Sequence, residues 1–400
     1  MLNYFGQKFK DNGYQLMNDR DSPIWQNPSY WPATFRITPQ WHRESTDKVS
    51  VDTALTGLQQ ITSHGFDLSG LDFHTGGTLE KNVSFYVLPS SNPSGNFHFE
   101  TVMARLDNLF GSSWLNLKLG KFELDNLISE KRILTLTNIS GVYQTYHFRP
   151  PNDSNFYGQI GDNQLGLEYM GHSADDRTRI SAALLSSNDG QVGLPSSNAY
   201  TGFFSASQAF DTGRMGVQRV GFYAMAGQAP TFFLTTSGGP LATPFGNAGG
   251  RGNRSFSREG FVGLFYLGKL DFLAVTQHGS DSPYFAATPS IPANTPLPAG
   301  TISPTWNGYM VETHYVYNPQ LIFIQRSEFE RMSQQGLPGV ASDTGDLNMF
   351  TFGYRWYPIM NPRAGFAFHN EYSWLRQRKT APDGSDLTSS SLFLGFDFDF

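Results

Sequence analysis

The chain has 400 residues, no cysteine, 41 glycines, 15% aromatic residues and a net charge of −6. Its isoelectric point near 5.8 speaks against a general nucleic-acid binder. The missing cysteines exclude disulfide staples, thiolate metal sites and covalent haem attachment within this chain. The longest strongly apolar run, about Phe261–Gly268, falls far short of the roughly 18 residues that a helical span needs. A mean hydropathy of −0.36 does not count against a membrane β-barrel, which keeps its apolar half in alternate positions.

The first residues, Met1 followed by LNYFGQKFKDNGYQL, lack the apolar core of a signal peptide. Residues 1–32 are expected to be a periplasmic segment or plug. From residue 33 the chain becomes a series of alternating segments. Strands are expected at 33–43, 67–76, 82–89, 97–107, 114–122, 158–171, 177–187 and 201–210. They continue at 215–227, 257–267, 269–279, 306–317, 320–332, 347–357, 363–377 and 388–400, sixteen in all. Short turns (75–81, 108–113, 174–176, 211–214, 267–269, 317–320, 358–362) alternate with longer loops (44–66, 123–157, 188–200, 228–256, 280–305, 333–346, 378–387). The connection 90–96 is short but falls in the long-loop register. This is the pattern of a barrel with one periplasmic and one exterior rim. The fold class is therefore an all-β transmembrane antiparallel barrel of about 16 strands, occupying 33–400, in a bacterial outer membrane with lipid around it.

Side chains alternate across a strand. In 388–400, Leu392, Leu394, Phe396, Phe398 and Phe400 share one face, against Phe393, Gly395, Asp397 and Asp399. In 347–357, Phe350, Phe352, Tyr354 and Trp356 oppose Thr351, Gly353 and Arg355. Strands 201–210 and 257–267 alternate poorly. Tyr169, Tyr266, Tyr315, Tyr317 and Trp356 fall at one set of strand ends, and Trp306, Tyr309, Tyr372 and Trp374 near the other, as two aromatic girdles would. A soluble β-sandwich or propeller would show no such belts.

Sixteen strands enclose a lumen wide enough for water. Its expected lining is Asn116, Lys118, Gln164, Glu168, Arg179, Glu312, His314, Arg326, Glu328, Glu330, Arg355, His369, Glu371 and Asp397. The mixed signs imply weak or locally divided ion selectivity. Loop 123–157, carrying Glu130, Lys131, Arg132 and Arg149, begins with a stretch too apolar for free solvation. Folding into the mouth would bury Leu127, Ile128, Ile133 and Leu134; alternatively the loop lies across the rim. No GxSxG or HExxH occurs, so no enzyme or metal site is expected. The Glu312/His314 and His369/Glu371 pairs share faces but are too few for a specific site.

The stretches LNLKLGKFELD (115–125) and FTFGYRWYPIMNPRAGFAFHNEYSW (350–374), with the terminal GFDFDF, resemble porin-like outer-membrane proteins similar to phosphate-selective porins. That resemblance implies a water-filled diffusion channel for small solutes or ions, sometimes trimeric. Leu2–Tyr14 resembles the segment that follows a CxxCH haem motif in a subset of these barrels, which implies a c-type cytochrome partner in electron transfer. The cysteines are absent here: either the chain is cut just after the haem motif, and a c-type haem would belong to a segment upstream of Met1, or this member has lost the motif. On its own residues, 4–12 reads as an amphipathic turn anchored by Phe5 and Phe9.

Overall fold

The computed structural model describes residues 33–52, 54–91, 96–127, 163–186, 199–229, 253–283, 297–361 and 364–399. The expected plug at 1–32 and the constriction residues Glu130, Lys131, Arg132 and Arg149 lie outside the described residues, as do Ile128, Ile133, Leu134 and Phe400.

Sixteen strands form one closed antiparallel sheet. They are β1 (Ala33–Val49), β2 (Gln59–Glu80), β3 (Val83–Ser91), β4 (Phe97–Leu106), β5 (Asn116–Phe122), β6 (Gln164–His172), β7 (Thr178–Ser186) and β8 (Tyr200–Asp211). The second half comprises β9 (Val217–Ala229), β10 (Arg254–Leu267), β11 (Leu270–Asp281), β12 (Thr305–Asn318), β13 (Leu321–Gln334), β14 (Leu347–Asn361), β15 (Ala364–Gln377) and β16 (Leu387–Asp399). Each strand pairs with its sequence neighbours, and β1 closes on β16 from Arg36↔Asp399 to Thr46↔Ser389. Closure removes both free edges, so every strand satisfies its backbone groups on two sides. No helix among the described residues is long and apolar enough to cross a membrane.

One rim carries tight turns. The Gly268–Lys269 turn between the paired Leu267 and Leu270 needs φ +66° at Gly268, a conformation that glycine adopts without a Cβ penalty. The other rim carries the long connections. The expected loop 44–66 is largely strand, because β1 runs to Val49 and β2 starts at Gln59. The hydropathy alternation stops near residue 43 while the ladder continues. There both faces are polar: Ser45 bonds Thr62 at 3.1 Å, Thr46 bonds Ser389 at 2.9 Å, and Thr388 donates to Asp47 at 2.7 Å.

Burial sorts the two faces. Phe352 is 57% exposed and its neighbour Thr351 is fully buried, and the same contrast sets Phe323, Tyr309, Leu119 and Leu394 against Arg326, Met310, Lys118 and Phe393. The exposed set points outward. Rings on this face form continuous rows, with Phe350 stacked on Trp374 at 6.0 Å and Trp356 on Phe368 at 5.5 Å. The main apolar core lies inside the barrel.

Candidate channel interior

All fourteen expected lining residues stand on the inward-facing parity of their strands, and eleven are buried outright. Arg179, Arg355 and Asp397 are partly accessible. The interior nevertheless divides into two unlike halves.

Between β5 and β12 the inner wall carries a large apolar cluster. Leu185, Phe203, Tyr223, Met225, Val262, Leu273, Val275 and Met310 point inward and form one cluster with Phe122, Leu124 and Leu127. The last two belong to the segment that leaves β5, which turns into the barrel. Its backbone is held by polar anchors on the wall. Asp125 N donates to Glu168 Oε1 at 2.7 Å, and Ser205 Oγ donates to the Asp125 carbonyl at 2.8 Å. Lys118 Nζ donates to the Glu123 carbonyl at 2.9 Å and to Glu168 Oε2 at 2.6 Å, while Ser181 Oγ reaches Glu168 Oε1 at 2.9 Å. Glu168 is thus a three-way junction: it accepts from a buried cation, a hydroxyl and the incoming backbone. Leu127 reaches as far as β9, where its Cδ1 lies 3.3 Å from the position a Cβ on Gly221 would take. A gap of about 20 Å³ remains beneath the segment, room for about one water. Of the four residues expected to be buried by an inward loop, Leu127 is 5% exposed, and the other three lie outside the described residues.

From β12 round to β2 the wall is charged. His314 lies between two carboxylates, with Nδ1 2.8 Å from Asp271 Oδ1 and Nε2 2.8 Å from Glu312 Oε1. With both ring nitrogens so engaged, neither lone pair is offered to a metal. Arg326, Glu312, Glu328 and Glu330 are fully buried, and Arg326 stands opposite Glu312 in the β12–β13 register. On β14–β16, Arg355 Nε donates to His369 Nδ1 at 2.5 Å, which places the imidazole proton on Nε2, facing Glu371 Oε1 at 2.5 Å. Arg355 also faces Asp397 at 3.7 Å. Arg36 on β1 is bonded to Asp72, which in turn accepts from Ser90.

Three expected lining residues serve the rims more than the lumen. Asn116 ties the short turn before β5, accepting from Asn108 N at 2.8 Å and donating to the Ser113 carbonyl at 2.8 Å. Arg179 is paired with Asp176 of the β6–β7 turn through Nε at 2.8 Å. Gln164 is 2% exposed at the far end of β6. The aromatic belts hold with two corrections. Trp306 faces inward and is fully buried, with the Arg258 guanidinium 5.3 Å from its ring and its Nε1 3.3 Å from Asp281. Tyr266 shares the inward parity of Val262 and Leu264.

Three solved structures align over nearly their whole length. An anion-selective porin from Comamonas acidovorans gives a TM-score of 0.53 at 10% identity, covering 93% of this chain and 100% of that one. OmpF of Salmonella typhi, in complex with daunomycin, gives 0.53 at 9%, covering 90% and 97%. OmpT in trimer form, an outer-membrane protein of Vibrio cholerae, gives 0.51 at 10%, covering 92% and 99%. The fold is that of the outer-membrane porins. No family model matches the sequence, and no curated protein does.

Within this porin fold the sequence reading missed the junction residues Asp125 and Ser205, and the inward pairs Arg258–Asp281 (2.6 Å) and Arg105–Asp107 (2.7 Å). Asp281 and Asp107 sit at strand ends, where the hydropathy period gives no phase. Arg258 stands on β10, whose two faces are both largely apolar below it. Strict counting of parity from Val262 would have placed Arg258 inside.

Proposed function

We propose that this protein is a channel of the bacterial outer membrane through which small hydrophilic solutes and ions diffuse passively, narrowed by the segment that follows β5. One observation carries the reading: a closed sixteen-strand sheet sorts its residues by parity, aromatic and aliphatic outward, charged and hydrogen-bonded inward. Such sorting suits hydrocarbon on one side and water on the other. The inward charges that stay partly accessible on the charged half of the wall, Arg36, Arg355 and Asp397, support passage of polar solutes without strong preference for one sign. The inward turn of Glu123–Leu127 supports a channel narrower than its strand count alone would give. Purified protein reconstituted in planar bilayers is expected to give stepwise, ohmic conductance, and loaded liposomes are expected to swell in small sugars. Protein that inserts with its strand content intact yet passes neither ions nor sugars would overturn the reading.

A further inference from the structure

Where the barrel closes, near the short-turn rim, two residues of opposite charge face each other without being joined. Arg36 on β1 stands directly opposite Asp399 on β16, and Asp397 lies two residues before it on the same inward face. Arg36 is held from its other side. Its Nε donates to Asp72 Oδ2 at 2.7 Å and its Nη2 reaches the same oxygen, while Asp72 is 2% exposed and is fixed in turn by Ser90. That clamp orients the guanidinium, leaves Nη1 without a partner among the described residues, and keeps 43% of the side chain exposed. Arg355 is clamped in the same way, with Nε on His369 Nδ1 at 2.5 Å, and its Nη1 lies 3.7 Å from Asp397, beyond hydrogen-bond distance. Asp397 is partly accessible and Asp399 is exposed; among the described residues neither carboxylate accepts a hydrogen bond. The register partner of Asp399 on β15 is Gly365, where an added Cβ would lie 3.9 Å from the Asp399 Oδ2 and meet nothing else within 4 Å.

Both signs of charge are therefore held in place on one flank and open on the other, side by side on the wall. We infer that Arg36, Asp397 and Asp399 form a binding subsite for small zwitterions of the α-amino-acid type, the ligand carboxylate on Arg36 and its ammonium between Asp397 and Asp399. This names a substrate class for the channel and rests on the channel reading above. Neighbouring strands lie about 4.8 Å apart, so a ligand that carries its ammonium and carboxylate on one carbon reaches both sides of the β1–β16 seam at once. An anion alone would be received by Arg36 but repelled by Asp397, Asp399 and the nearby Glu100. A cation alone would meet the guanidiniums of Arg36 and Arg355 beside the carboxylates. No group of three metal-ligating side chains occurs among the described residues, so the two aspartates do not make a cage for a metal cation. Charge-assisted hydrogen bonds to groups already oriented cost little further ordering.

The test follows binding of L-alanine to the full chain in detergent micelles by saturation-transfer NMR, at neutral pH and low salt. Propionate, which lacks the ammonium, and ethylammonium, which lacks the carboxylate, are titrated beside it. Wild type is expected to bind L-alanine at least about tenfold tighter than either analogue. Asp397→Asn with Asp399→Asn is expected to weaken L-alanine about tenfold and to leave propionate as tight or tighter. Arg36→Gln is expected to weaken L-alanine as much and to favour ethylammonium. The heat-induced mobility shift on gels shows whether each variant keeps the barrel. If Arg36→Gln loses it, because buried Asp72 is orphaned, Asp399→Asn alone removes no described contact and still decides. Planar-bilayer conductance is read on the same preparations. A wild type that conducts but binds L-alanine no tighter than its two analogues overturns the subsite and leaves the channel. One that binds L-alanine with the expected preference and passes nothing upholds the subsite and overturns the channel. Folded aspartate variants that bind L-alanine as wild type does also overturn the subsite.

Discussion

Glu168→Gln tests whether the segment after β5 narrows the channel. Glu168 and Lys118 are 0% and 6% exposed and lie 2.6 Å apart, so the pair is desolvated on both sides. Glutamine keeps the volume and one acceptor oxygen, enough for Asp125 N or Ser181, but turns an amide toward the Lys118 ammonium and leaves that charge buried without its counter-ion. Removing one partner of a buried pair costs about 3–5 kcal/mol. The closed sheet is fixed by sixteen ladders and can absorb this, whereas Glu123–Leu127 is held by a handful of contacts, so the cost falls on its docking. At 1.4 kcal/mol per tenfold, docking weakened by about 3 kcal/mol shifts its docked-to-released ratio by about two orders of magnitude. The expected outcome in planar bilayers is a larger single-channel conductance with frequent stepping between levels. The double variant Lys118→Met with Glu168→Gln removes the orphaned charge and is expected to recover much of the wild-type trace. If Glu168→Gln folds and its conductance and noise match wild type, the segment does not control the channel.

Tyr354 and Arg355 are adjacent, one outward and one inward. Tyr354→Arg is expected to cost about 2–4 kcal/mol on transfer to the bilayer, depending on depth, seen as a lower denaturant midpoint for unfolding in lipid vesicles, while the native Arg355 is tolerated one residue away. Arg326→Met leaves the fully buried Glu312, Glu328 and Glu330 with less neutralising charge; a loss of about 3–5 kcal/mol is expected, read as a lower temperature for the heat-induced mobility shift on gels. At the long-loop rim, the hydrogen bond from Lys379, aided by Arg378, holds the Asp343 carboxyl below its ordinary value, and Arg376 does the same for Asp386. Carboxyls lowered in the folded state contribute stability that is present above the unfolded value near 3.8 and lost as pH falls through the lower folded values. Hydrogen-exchange protection over 335–346 and 378–386, taken relative to the intrinsic rate at each pH, is expected to be unchanged from pH 7 to about 5 and to fall once pH drops below the ordinary carboxyl value near 3.8. Protection lost already between pH 7 and 5 would assign the rim's order to other groups.

What could be read from the sequence follows from which solvent each face meets. Where one face met hydrocarbon and the other polar groups, as in β5, β6 and β13–β16, period two was unambiguous and every inward assignment matched the observed parity. At the tops of β1 and β2 both faces are polar, so residues 44–49 and 59–66 read as loop although the ladder persists there. Trp306 was misplaced for a different reason. Its position near a rim was right, but an aromatic at a rim carries no phase by itself, and its parity is that of Met310, Glu312 and His314. Gly308, between them, gave no side chain with which to fix the count.

The poor alternation of β8 and β10 is the most informative of these failures. Phe203 and Phe204 face opposite sides, as do Phe261 and Val262. A strand apolar on both faces is what a barrel needs where hydrocarbon lies outside and a second layer lies inside. That layer is supplied by Phe122, Leu124 and Leu127, three residues that follow the polar anchors Lys118 and Glu168 by only a few positions in the chain or across one strand pair. The apolar opening of the 123–157 connection and the lost period in β8 and β10 are therefore one fact seen at two places in the sequence. A connection that packs on the wall must be matched by apolar residues on that wall, and a wall without that match on β13–β16 keeps its charges. Exchanging inward Phe203 for Ser should thus restore period two in β8 while loosening the inner layer. The expected result is a barrel of unchanged strand content, stability lower by about 3–5 kcal/mol from the vacated volume, and a wider channel. Unchanged conductance after that exchange would separate the inner apolar wall from the control of passage.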